Sequence, residues 1–185
     1  MRKLISSMTL TAALIAAAPA FAKGFNNTIT SQITTPVKVE VVLSEDMAHR
    51  ANNLPKDKRD RSGARSLNDG FAGNGFYGDR ELRELTDYIQ SRMASRFENK
   101  GISVSGDSPV VLRVTLEDAS PNRPTFTQLG RQPSLSFNSY GIGGAELSAE
   151  LIGADGSSLG IISYERFDYD IEESRYGGTW SGAKR

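Results

Sequence analysis

The chain of 185 residues has no cysteine, a single histidine, no excess charge of either sign, and no long apolar run after its first 22 residues. Each absence excludes something. Without cysteine there is no disulfide, no thiolate metal site and no lipid-modified N-terminal cysteine, so an exported form must rely on its core alone. With one histidine, His49, and no G-x-S-x-G, neither a familiar catalytic triad nor a zinc site can be assembled, and His49 reads as a surface helix residue. No segment after residue 22 offers the ~18 apolar residues that span a bilayer. With 22 basic and 22 acidic residues the chain is too balanced to predict nucleic acid or an anionic membrane as its bulk partner. No internal repeat or heptad pattern is visible.

What is present begins with an export signal. Arg2 and Lys3 form a basic head, "LISSMTLTAALIAAA" an apolar stretch, and Ala20-x-Ala22 the small-x-small pattern of a signal peptidase site, which places the mature start at Lys23. Removing residues 1–22 leaves 20 basic against 22 acidic residues, a net charge of −2. The expected organisation is a signal peptide at 1–22, a polar leader at 23–35, and one domain over 36–185 with a long loop at 56–78. The expected location is the periplasm or the outside.

Periodicity sets the fold. Val37, Val39, Val41 and Leu43 alternate with polar residues, as do Val110, Leu112, Val114 and Leu116, and Ala145, Leu147, Ala149 and Leu151. Asp155-Gly156 is a hairpin turn that leads into "LGIISYERFDYD" as a return strand. Ser44 caps a short helix with Glu45 and Asp46 in its first turn, and Pro55 stops it. Leu82, Leu85, Ile89, Met93 and Phe97 mark one stripe of a helix over 79–100, with Asp79 as N-cap and Gly101 just past its end. These elements predict an α+β fold: a largely antiparallel four-stranded sheet with one long helix packed on one face.

"NSYGIGGAEL", residues 138–147, has the glycines of a phosphate loop but not its context. A phosphate loop leaves a strand and enters a helix, whose N-terminus supplies the anion-binding N–H groups. Here "AELSAELI" follows, with period two, and no Gly-Lys-Ser/Thr is found. Neither a nucleotide nor any other cofactor is expected.

Two clusters remain. Asp168, Asp170 and Glu172 in "FDYDIEES" lie about 7 Å apart in succession on one face if the strand persists, wide for one calcium ion. As paired carboxylates they are the one group that could serve a hydrolase acting on an envelope polymer. The other is residues 119–145, "ASPNRPTFTQLGRQPSLSFNSYGIGGA". This segment has no acid, three prolines that restrict it, and Arg123, Phe126, Arg131, Phe137 and Tyr140, the composition of a stiff recognition loop. Buried against the sheet, Phe126, Phe137 and Leu135 would instead make it a plain connection.

The phrase "LEDASPNRPTFTQLGRQPSLSF…GIGGAEL" and the strand–helix–strand–hairpin order behind a signal peptide resemble small exported α/β envelope proteins of bacteria whose function is unknown. The resemblance covers about residues 110–170. It implies an envelope role and assigns no functional residue. The reading is a non-catalytic binding domain that meets an envelope protein or polymer, without metal or catalytic residues. Residues 174–185, ending in "GGTWSGAKR", are expected to be poorly ordered, unless packing pins Trp180 to the domain.

Overall fold

Alternation of valine and leucine with polar residues builds the middle of the sheet. The computed structural model describes residues 24–30, 33–56, 71–168 and 177–185. The signal segment with Ala20, Ala22 and Lys23, most of the 56–78 loop, and Asp170 and Glu172 lie outside the described residues. Strands β1 (Phe25–Asn27), β2 (Lys38–Leu43), β3 (Val111–Ser120), β4 (Gly144–Ile152) and β5 (Ser158–Phe167) form one open sheet in the order β1-β5-β4-β3-β2.

The four-stranded expectation is therefore corrected to five strands; three of the four pairings are antiparallel, so the sheet is largely antiparallel as expected. The added strand, β1, comes from the polar leader and pairs antiparallel with β5 through Phe25–Tyr164 and Asn27–Ile162. The β2–β3 pair is parallel, Val39 beside Leu112 and Leu43 beside Leu116. Between these strands the chain makes α1 (Glu45–Arg50) and α2 (Asp79–Asn99). The 21 residues of α2, ~31 Å long, return the chain to the starting end of the sheet, so β3 enters in the direction of β2.

One face of the sheet is the core. Leu82, Leu85 and Ile89 of α2 are buried with Leu116, Ala119 and Ala145, and Met93 and Phe97 pack at the margins against Leu112, Val114 and Leu151. A bulge in β3, where the register skips between Leu116 and Asp118, keeps both Leu116 and Ala119 on this face although they are three residues apart. Ser44 caps α1 as expected, its side chain accepting from the Met47 N–H. The cap of α2 is Gly78 rather than Asp79: Gly78 has φ 90° and lies against the Thr127 side chain, where a Cβ would collide. Asp79 instead accepts a hydrogen bond from Asn52 Nδ2 at 2.8 Å. Among the described residues no helix is long and apolar enough to cross a membrane.

Candidate interaction surface

Between β3 and β4 the chain is not an irregular loop throughout. A helix, α3 (Phe126–Arg131), forms inside it, started by a capping box: Thr125 Oγ1 accepts from the Gln128 N–H, and Gln128 Oε1 accepts from the Thr125 N–H. The sequence signal, Thr-x-x-Gln at 125–128, was legible. The prolines and glycines on either side hid it.

The capping pair points inward, and its polar atoms are needed there. Gln128 Nε2 donates to the carbonyls of Phe71 and Gly75, both at 2.9 Å, and Thr125 Oγ1 donates to Phe76 O. This ties α3 to residues 71–78, the strip before α2. Tyr77, in the same strip, donates its hydroxyl to Ala72 O at 2.7 Å.

Asn122 makes a second tie, to the C-terminal tail. Its N–H donates to Thr179 O and its Oδ1 accepts from the Gly182 N–H, each at 2.6 Å. Its Nδ2 donates to Asp168 Oδ2 at 3.4 Å, and Arg185 reaches Asp168 Oδ1 at 3.4 Å. Trp180 is only 4 % exposed, edge-to-face with Tyr77 at 5.6 Å, its Nε1 donating to Glu81. Of the two outcomes expected for the tail, the described residues 177–185 take the second, with Trp180 pinned.

The glycine question resolves here. A Cβ on Gly143 would overlap the Asn122 amide, and one on Gly144 would overlap the β5 backbone at Arg166 and Phe167. These glycines let chain segments approach one another, the space beside them being filled by Asn122 and the β5 backbone.

With Asn122, Thr125 and Gln128 turned inward, other side chains face out. Phe126 is 73 % exposed and Phe137 68 %, and the two rings meet edge-to-face at 5.9 Å. Burial of these rings against the sheet does not occur. Arg131 is exposed, its guanidinium 4.5 Å above the ring of Phe76, the only described non-glycine residue with positive φ. Tyr140 and Ile142 are partly exposed alongside.

Arg123 differs from the other four. It is half-buried, donates to the carbonyls of Asn138, Ser139 and Gly177, and lies over the Tyr140 ring at 5.5 Å. Its fork holds the loop to itself and to the tail, so of the five expected residues it is the one with a structural task.

The carboxylate cluster is not assembled within the described residues. Asp168 is 5 % exposed and faces Asn122, Arg185 and the Gly182 backbone, so it holds the tail. Among the described residues no group of three or more His, Cys, Asp or Glu is placed to hold a metal. His49 is half-buried rather than on the surface, and its Nε2 is enclosed without a hydrogen-bond partner among the described residues.

The opposite sheet face carries acids in register. Glu146 of β4 sits between Asp118 of β3 and Glu165 of β5. Partial desolvation, then Glu165, Asp118 and Glu117, hold its carboxyl above the usual range. Asp118 is drawn away to Arg50 at 2.7 Å. No protein-family model, curated protein or solved structure matches the chain.

Proposed function

We propose that this chain is an exported, non-catalytic binding domain of the bacterial envelope, and that the surface of Phe126, Arg131, Phe137 and Tyr140 makes the contact. One observation carries this reading: two phenylalanines stand about seven-tenths exposed on a segment whose interior is held by buried polar ties. Single exposed apolar residues are ordinary, but paired exposed aromatics, on a segment that also presents an exposed arginine, have the make-up of binding hot spots. Prior rigidity lowers the ordering cost of association. Export rests on the Arg2–Lys3, apolar stretch and Ala20-x-Ala22 pattern.

Of the three carboxylates on which a hydrolase reading rests, Asp168 is turned toward the tail. Asp170 and Glu172 lie outside the described residues.

The test is capture from envelope extract by the purified chain, parent against Phe126→Ala/Phe137→Ala, with the captured material identified by mass spectrometry. The reading expects at least one component retained by the parent and lost by the variant at equal melting temperature. Identical capture by both chains removes this surface from the account, and N-terminal sequencing that returns Met1 from exported material removes the signal.

A further inference from the structure

We infer that the partner of this surface is an anionic phospholipid surface, which the phenylalanine pair enters while Arg131 meets a headgroup phosphate. The inference rests on the binding-surface reading above and names what is bound.

Shape is the first argument. Phe126 and Phe137 come from separate segments, α3 and the turn after it, and lean on each other edge-to-face while most of each ring stays in water. They therefore project together as a wedge. A wedge suits a deformable apolar medium, which closes around whatever enters it. The residues beside the rings are small and uncharged, Thr127, Ser134, Ser136 and Asn138, and can stay at headgroup level without desolvating a charge.

Charge is the second. From residue 119 to 145 there is no aspartate or glutamate. Among the carboxylates of the elements tied to the segment, Asp168 is paired with Arg185, while Asp79 and Glu81 accept hydrogen bonds from Asn52 and the Trp180 indole and keep their charge. Arg131 is not engaged in this way. Its guanidinium carbon stands 4.5 Å from the centre of the Phe76 ring, and no carboxylate among the described residues pairs with it. A guanidinium can take a phosphate through two hydrogen bonds. An anionic surface also attracts each basic residue held within a Debye length of it.

The test is co-sedimentation of the chain, as recovered from the exporting cell, with vesicles of phosphatidylcholine and of an equal mixture of phosphatidylcholine and phosphatidylglycerol. The parent should partition onto the mixed vesicles more strongly than onto phosphatidylcholine. The preference should fall as the ionic strength rises from about 0.01 M to about 1 M and the Debye length shrinks from ~30 Å to ~3 Å. Phe126→Ser/Phe137→Ser should lose at least about tenfold in partitioning onto the mixed vesicles, the factor that burying one phenylalanine supplies. Arg131→Gln should lose about fivefold on the mixed vesicles and nothing on phosphatidylcholine, as one cation near the surface predicts. Because every comparison is with the parent, any contribution of other segments cancels.

Equal partitioning of parent and both variants overturns the inference. So does failure of the parent to bind either vesicle. In that case, capture of an envelope protein that still depends on Phe126 and Phe137 leaves the binding-surface reading standing and refutes only the lipid. Loss of both refutes both.

Discussion

Trp180 is the anchor of the tail, and its removal is the most informative single perturbation. It is the only tryptophan in the chain, packed in the cluster that holds Met47, Tyr77, Leu82 and Leu85. Truncating a buried tryptophan to alanine costs about 3–5 kcal/mol, of which the edge-to-face contact with Tyr77 accounts for about 0.5–1.5. The neighbouring bonds of Asn122 to Thr179 and Gly182 flank this anchor on both sides, so they weaken with it. A loss of about 4 kcal/mol is expected for Trp180→Ala, and a melting temperature lower by about 8–16 °C in a chain of this length. Trp180→Phe keeps a ring in place and loses the bond to Glu81, so it should fall by only about 1–2 kcal/mol. Urea denaturation followed by far-ultraviolet circular dichroism measures both, and the parent should show blue-shifted tryptophan emission. A loss below about 1 kcal/mol in Trp180→Ala, with parent emission typical of water, would refute the packing described.

Burial pushes the Tyr77 phenol up to about 12 from its ordinary value of 10.0, with Arg50 and Asp118 acting in opposite directions. A group raised in the folded state stabilises fully below its unfolded value and stops doing so as pH rises through its folded one. Stability should therefore fall by ~3 kcal/mol between pH ~10 and ~12, and urea midpoints for Tyr77→Phe should lack that component. Arg123→Ala should lose about 1–3 kcal/mol, since it removes charge-assisted bonds to three carbonyls, whereas Arg131→Ala should stay within about 1 kcal/mol; thermal melts of both separate the structural arginine from the projecting one. Ile89→Ala should lose about 2–5 kcal/mol in chemical denaturation, and a change below about 0.5 would mean that the α2 stripe is not the core.

Legibility followed the range of the interactions. Alternation at Val37–Leu43 and Leu112–Leu116, and the stripe from Leu82 to Phe97, are local patterns, and they identified β2, β3 and the long helix. What escaped depends on a distant mate. β1 is Phe-Asn-Asn, with no alternation of its own, and is a strand only because residues 162–164 of β5 present a free edge. The parallel pairing of β2 and β3 follows from where α2 delivers the chain, which no local period encodes. Trp180 carried no sign of its partners, because Tyr77 and Glu81 are about a hundred positions away. In the candidate surface, composition picked out Phe126, Arg131, Phe137 and Tyr140 but could not tell that Arg123 would be turned to Asn138, Ser139 and Gly177. The capping box at Thr125–Gln128 was the one local signal passed over.

The 121–142 segment inverts the usual rule that polar side chains face water and aromatics the interior, and the inversion has two causes of different kinds. Where α3, the 71–78 strip and the tail meet, the carbonyls of Phe71, Gly75 and Gly141 and the N–H of Gly182 are enclosed. Leaving such groups unpaired costs about 1–3 kcal/mol each, so glutamine and asparagine are required inside where a phenylalanine would fail. Thr125 and Gln128, three positions apart, share the inner face of the turn. Position 126, one step round the helix, must then face away. The exposure of Phe126 is thus geometrically forced, although a phenylalanine there is not. Position 137 is under no such constraint: it lies outside α3, makes none of these ties, and would be satisfied by any soluble residue. Phe137 nonetheless covers Phe126 edge-on without removing either ring from water. Packing economy explains neither side chain, which is why the functional weight of this surface falls on the pair.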